Sequence, residues 1–519
     1  MITHLFFVDD LKTFARSEND AKQMMDIITE FSQDIGMSFG EEKCAFINIV
    51  KGKRKIIGKP LILNKVKVQE LKEECTYKYL GLDESVKFDS KLNKDAVTKE
   101  YCTRLRKIWS SQLNAYNKIV ASNTFAVPIV IYSFGILDWT KENIKQLNIK
   151  TRKIMNMNNS MNRRSDIERL YISRKEGGRG LRNLEDEYLA RIPSFKAHLD
   201  IEKDNNKFIS KVQNQNSSIK LITTSIYEAY NLNLNDVTPR EIATAIKYKI
   251  QEQRKEKFLA KPIHGYLIRK RMEVEDVDMK QSYSWLKSNS LTSDVESYIC
   301  TLQEQELYTN ACAVLHERNE RKKNEMSAAC RLCGKRDETV EHILTACPKL
   351  SSNLYLETRH NYVAKFIHEK LLEKYEITSK EPQPLKIVSN DDCEIWWDMK
   401  VYLATGVQHN KPDIIVWDKK QKKCFVIDIS VPADCNINKK IKEKYDAYYP
   451  FISELQRIYK DYSYKIIPII VGALGLIPKT LEQLLKEIGL IDSQKITMGI
   501  QKRALIGSLK IAKTFMKMI

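Results

Sequence analysis

Four side chains of metal-ligand type fall within one short interval, Cys330-x2-Cys333-x8-His342-x4-Cys347. A CxxC turn places two sulfurs on one cation, and a later histidine and cysteine complete a tetrahedron. A segment this short cannot bury a core of its own, so the ion becomes part of its folding free energy. The alternative, unrelated buried cysteines beside one histidine, requires four ligand types to meet in that interval by chance. Structural zinc is expected on Cys330, Cys333, His342 and Cys347.

A second constellation lies downstream. Lys411-Pro412-Asp413-Ile414-Ile415-Val416 starts a strand with an acid at its head. Asp428 stands inside the apolar run Phe425-Val426-Ile427-Asp428-Ile429-Ser430-Val431. A carboxylate within such a strand is costly unless something compensates it. Two strands that each present an acid can hold a divalent ion against a scissile phosphate, and a nearby lysine can orient water and stabilise developing charge. Alone, Pro412-Asp413 would more often be a turn.

Near the start, Leu5-Phe6-Phe7-Val8, Asp9-Asp10 and the run 11–15 read as strand, tight turn, strand. Adjacent aspartates on an apolar hairpin repel each other unless they are hydrated or metal-bound. Nucleotidyl transfer needs such carboxylates; an ordinary hairpin turn is the other reading. Residues 19–35 follow a helical period.

At 519 residues, the chain has room for roughly three or four domains. Lys and Arg number 86 against 67 Asp and Glu, a formal charge of +19. That surplus favours a polyanionic partner through counterion release, where the blander reading is a generally basic surface. Eleven cysteines in so long a chain suggest a reducing compartment rather than a disulfide scaffold. No signal peptide is evident and no run reaches the length of a membrane span. Residues 466–476 read as a buried strand. Residues 86–200 look helical and basic. There Arg163, Arg164, Arg169, Arg174 and Arg179 flank Gly177, Gly178 and Gly180, a mixture suited to phosphates. The polar stretch 200–218 suggests a boundary, and Glu381-Pro382-Gln383-Pro384 breaks the chain before a last α/β sandwich.

Several of these strings resemble one family in order. Phe7-Val8-Asp9-Asp10 resembles the aromatic-x-Asp-Asp motif of reverse transcriptases. Gly36-Met37-Ser38-Phe39 followed by Lys43 resembles the next palm motif, and Tyr77-Lys78-Tyr79-Leu80-Gly81 the primer-grip hairpin. The cysteine–histidine cluster, with Glu338-Thr339-Val340-Glu341-His342, resembles the CCHC knuckle before the endonuclease of site-specific non-LTR elements. The two acidic strands resemble PD-(D/E)xK nucleases. Nearly the whole chain is similar to the C-terminal half of the Pol polyprotein of a type-1 (non-LTR) retrotransposable element with a restriction-like endonuclease.

The resemblance implies a multidomain α/β fold. Its parts would be a partial reverse-transcriptase palm (1–85), a thumb-like basic helical domain (86–200), a helical linker (201–325), the zinc knuckle (326–350), a helical connector (351–390) and a restriction-like endonuclease (391–519). It implies that Asp9 and Asp10 are metal ligands and that Lys43 lies near the incoming nucleotide. The basic arginines would grip a template–primer duplex. In the nuclease, Asp413 and Asp428 would hold Mg2+ or Mn2+. Ser430 stands where the usual lysine would be, and the family moves that lysine to the following helix. Lys442-Glu443-Lys444-Tyr445 fits the move; Lys444 is favoured, with Tyr445 beside it. Trp397-Asp398 resembles the family's auxiliary acid. The implied activity is nicking of chromosomal DNA in the nucleus, after synthesis in the cytoplasm. The free 3′ hydroxyl then primes reverse transcription of element RNA through an RNA–DNA duplex, with no membrane involved. Only eight residues precede Asp9, so a third palm aspartate is missing and no polymerisation is expected from this chain alone. Two rival readings are a catalytically dead nucleic-acid-binding remnant and a free-standing nuclease.

Overall fold

The computed structural model describes residues 3–38, 40, 43–63, 66–72, 75–85, 88–203, 205–206, 209–210, 217–231, 237–350, 353–378, 384–403 and 406–519. Phe39 of the second palm-like motif, residues 381–383 of the proline break and much of the polar stretch 200–218 lie outside them. The protein is a multidomain α/β chain with several small sheets. It divides into two compact units, Met1–Tyr101 with Tyr132–Lys141, and Cys102–Ile131 with Glu142–Ile519.

In the first unit, strands His4–Phe7 and Asp10–Thr13 pair antiparallel, with Phe7 opposite Asp10. Val8 and Asp9 form the turn, so the second aspartate opens a strand rather than closing the turn. Helix Glu18–Asp34 follows, its start capped by the Ser17 hydroxyl, which accepts from the Asp20 amide at 3.1 Å. Val66–Glu70 is the middle strand of a three-stranded sheet, parallel to Ala45–Phe46 and antiparallel to Leu61–Leu63. A second hairpin joins Tyr77–Tyr79 to Leu82–Glu84.

The second unit opens with helices, as the basic middle suggests, but three of the five arginines expected to meet phosphates are turned inward. Arg169, Arg174 and Arg179 are buried. Arg169 pairs with Glu304 at 3.2 Å, and Arg174 and Arg179 both pair with Glu296, at 2.8 and 2.9 Å. The glycine amides are engaged as well: Gly178 donates to the Ser173 carbonyl and Gly180 to that of Ile172, at 3.0 and 2.9 Å. A Cβ on Gly178 would stand 2.1 Å from the Ile172 carbonyl oxygen, so glycine there serves close packing. These three arginines therefore organise the helical core, and Arg163 and Arg164 alone of the five remain exposed. Burial works against ionising Glu296, but Arg174 and Arg179 outweigh it and lower its pKa. Glu296→Ala would leave two guanidinium groups buried without their carboxylate. It is expected to destabilise this unit by about 3–5 kcal/mol, read as a lowered urea midpoint.

The C-terminal part of this unit is built on a five-stranded sheet ordered Ile387–Ser389, Cys393–Trp397, Ile414–Asp418, Lys423–Ser430, Ser463–Ile470. The first four run antiparallel in succession, and the last is parallel to its neighbour. A parallel neighbour needs a crossover, and helix Ile437–Ile458 supplies it. Ile414–Asp418 and most of Lys423–Ser430 are buried on both faces, which their near-continuous apolar sequence dictates. Alternation sorts the residues. Ile415, Trp417, Cys424 and Val426 face the crossover helix, meeting Tyr448, Phe451, Ile452 and Leu455 at helical spacing. Ile414, Val416, Phe425, Ile427 and Ile429 join the other core, with helices Asn361–Lys374 and Thr480–Glu487. The run 466–476, expected as one strand, leaves the sheet after Ile470; Gly472 donates to the Leu476 carbonyl at 2.9 Å in the turn that follows.

The last helix, Ser493–Met518, serves two cores. Ile496, Ile500 and Ala504 belong to the sheet's core. Leu505, Leu509, Ile511, Ala512 and Phe515 belong to a core that also contains Cys330, Val340, Ile343, Leu344 and Cys347.

Candidate active site and metal centre

Asp413 and Asp428 come together. The register pairs Ile414 with Ile427, and one step further along the two strands lie these two aspartates. Both fall on the parity that faces the crossover helix. Asp413 accepts the Ile429 amide at 2.6 Å. Asp428 is 4% exposed. Burial first, and the like charge of Asp413 second, raise its pKa. Two facing acids with one forced toward protonation are a site that a divalent cation would relieve.

The crossover helix brings two side chains one turn apart onto Asp428. Lys444 forms an ion pair with Oδ2, and Tyr448 donates to Oδ1 at 2.6 Å. Oδ2 is buried, and the Lys444 ammonium is its partner, so a divalent cation at this atom would sit beside that lysine. Lys442 and Tyr445 are exposed; the tyrosine on the site is Tyr448, which no motif singled out. Asp398 donates its amide to the Asp413 carbonyl at 2.8 Å. Its carboxylate is held by Lys411 at 2.7 Å and Lys386 at 3.3 Å. Burial opposes its ionisation, but the two lysines together outweigh burial and lower its pKa.

His360 is a further participant that no motif announced. It ends a π-helical turn, Leu356–His360, just before helix Asn361–Lys374. Its Nε2 lies 3.2 Å from Asp413 Oδ2 and 3.1 Å from the Ile429 carbonyl oxygen. Both neighbours accept, so Nε2 carries the proton. Burial disfavours its charge, but the Asp413 carboxylate outweighs burial and lifts the pKa to about 9. A cleft of about 520 Å³ opens beside His360 and Ser430. Arg336, Arg359, Lys439 and Lys440 line it, with Glu341 and Glu443 as the acids. Arg359 donates to the carbonyls of Leu344 and Val431 and to the Ser508 hydroxyl, at 2.8, 3.2 and 3.1 Å. Burial pushes its pKa down to about 10, which leaves it charged at neutral pH.

The cysteine–histidine cluster assembles as the spacing implies. Ligand atoms of Cys330, Cys333, His342 and Cys347 all lie within 4.8 Å of one another. His342 Nε2 is 3.3 Å from Cys333 Sγ, close to the edge of a tetrahedron with Zn–N and Zn–S bonds of about 2.0 and 2.3 Å. The Lys335 amide is the main cause lowering the Cys333 pKa, while burial raises that of Cys347 to about 11. Thr339 caps the helix Val340–Thr345 by accepting the His342 amide at 3.1 Å, which aims the imidazole back at the CxxC turn. The four residues could hold a metal ion and suit structural zinc.

In the first unit, Asp9 and Asp10 stand exposed on their hairpin, and Lys43 is exposed too. Burial first and Asp10 next raise the pKa of Tyr79, so the two hairpins meet. Lys12 bridges them: it pairs with Glu84 and lies 5.3 Å from the Tyr79 ring centroid. Neither protein-family models nor curated proteins give a match to this chain.

Proposed function

We propose that this chain is the C-terminal part of a non-LTR retrotransposon Pol protein whose restriction-like nuclease nicks double-stranded DNA. One observation carries the reading: Asp413 and Asp428 face each other from neighbouring strands, with Lys444 and Tyr448 set on Asp428 by the crossover helix. A mixed sheet with acids on two adjacent strands and a lysine on the next helix suits metal-dependent phosphodiester hydrolysis. Asp413 and Asp428 would hold the Mg2+ or Mn2+, which supplies Lewis-acid polarisation of the phosphate. Tyr448 fixes the Asp428 carboxylate, the Ile429 amide fixes that of Asp413, and Lys444 places positive charge beside the reacting phosphate. The cleft lined by Arg336, Lys439 and Lys440 would lead the phosphate backbone to this point.

The remaining parts follow from the resemblance. Asp9 and Asp10 are polymerase metal ligands on a palm hairpin, Lys43 serves the incoming nucleotide, and Asp398 is an auxiliary acid. The partners are chromosomal target DNA in the nucleus and element RNA. The test is conversion of supercoiled plasmid to open circle by the purified chain with Mg2+ or Mn2+. DNA binding without metal-dependent cleavage would instead support the dead-remnant reading. Binding itself is expected to weaken by about 10³-fold or more between 50 and 200 mM salt if at least six phosphates are neutralised, as measured by fluorescence anisotropy.

A further inference from the structure

Buried glutamates in the second unit follow a rule with one exception. Glu187, Glu296, Glu304 and Glu338 each pair with an arginine. Glu306 has a fully buried side chain, and its ion-pair partners among the described residues are two histidines, His264 at 3.2 Å and His316 at 3.0 Å. Cys312 completes the group, with its Sγ 3.9 Å from Glu306 Oε2.

We infer that Glu306, Cys312 and His316 form a second zinc site, separate from the cysteine–histidine knuckle. Their ligand atoms lie within 4.8 Å of one another. Cys312 and His316 occupy one face of helix Asn310–His316, a turn apart, while Glu306 approaches from the preceding loop. A carboxylate oxygen, an imidazole nitrogen and a thiolate are a donor set that zinc accepts in tetrahedral form, with ligand atoms about 3–4 Å apart. Only a small contraction separates the observed group from that geometry. Coordination deprotonates the Cys312 thiol, and the proton leaves to solvent. His264 is not a ligand. Its Nε2 lies 3.0 Å from the Arg164 carbonyl oxygen, which makes it a donor, so it orients the Glu306 carboxylate from outside the ion. The Arg164 guanidinium, 3.9 Å from Cys312 Sγ, stabilises the thiolate. His316, with 35% of its side chain exposed, marks the solvent side, where water fills the fourth position. The site ties the loop at Glu306 to the helix whose first amide, that of Asn310, donates to Glu338 at 2.9 Å; Glu338 in turn accepts the Arg331 amide within the CxxC turn.

The full-length chain, purified without chelator, is the material for the test. Metal analysis should show that the double variant Cys312→Ser/His316→Gln carries about one zinc equivalent fewer than wild type, whatever the knuckle binds. Unchanged zinc content in a folded double variant would overturn the proposal. Should the variant fail to fold, zinc-edge X-ray absorption on the wild type decides. A knuckle alone gives about three sulfurs per zinc, and two sites average about two. A value of about three overturns the proposal, and a value of about two sustains it. Neither measurement depends on nuclease activity, so the outcome is separate from that of the proposed function.

Discussion

Asp428→Ala and Asp413→Ala are each expected to abolish metal-dependent nicking, with a loss of at least about 10²–10³-fold, while DNA binding persists. Each removes one carboxylate from the pair that faces a single cation, and with it the charge stabilisation of the transition state. Asp428→Asn is the variant that separates chemistry from folding, because its amide keeps the shape against Tyr448 and removes the charge. Lys444→Ala should slow nicking by about tenfold to a hundredfold and leave affinity nearly unchanged, since one cation among many contributes little to binding. Lys442→Ala is the control: it is exposed, and Lys444 is the one that pairs with Asp428. If Lys442→Ala proves the more damaging, the assignment of the lysine is wrong. Nicking that survives both aspartate substitutions would sink the proposed site altogether.

The second large effect concerns the knuckle. Cys333→Ser is expected to release one zinc and to destabilise far more than the short segment around it. Cys330 and Cys347 are core residues packed with Val340, Ile343, Leu344 and the last helix. Zinc contributes about 10–16 kcal/mol to folding in isolated finger peptides at neutral pH. Losing several kcal/mol in a core shared this widely should lower the melting temperature of the second unit by about 5 °C. Differential scanning fluorimetry with and without a strong chelator reads this directly. A melting curve indifferent to chelator and to Cys333→Ser would show that the cluster holds no structural metal.

What the sequence made legible was local. The near-continuous apolar run Phe425-Val426-Ile427-Asp428-Ile429 marks a strand buried on both faces with one acid out of character, and that acid meets Lys444 and Tyr448 of the crossover helix. Lys444 was within reach because the helix directly follows the strand. The cluster of Cys330, Cys333, His342 and Cys347 was legible because its spacing is itself the geometry. Tyr448 carries a signal of its own in the sequence, being one helical turn beyond Lys444. His360 carried none: it reaches Asp413 across 53 positions of chain, and only the packing of helix Asn361–Lys374 on the sheet brings it there. The arginines failed for a related reason. A guanidinium reads the same in sequence whether it will meet a phosphate or a glutamate more than a hundred residues away, as Arg174 meets Glu296. The Glu306 cluster left one trace, Cys312-x3-His316, with no periodic sign of the third partner.

The last helix gives the molecule a measure of length. Ser493–Met518 spans 26 residues, roughly 39 Å at 1.5 Å per residue, and packs on the sheet's core with its first half and on the knuckle's core with its second. Arg359 stitches the same three parts at one point, through Leu344, Val431 and Ser508. If the knuckle side, through Arg336 in the cleft, contacts the DNA that the proposed nuclease cuts, that contact and the phosphate at the aspartates are then held at a set separation. The cut would be counted off from the grip like a mark on a ruler, and inserting base pairs into the target between them would move the nick by the same number of steps rather than let it follow the sequence.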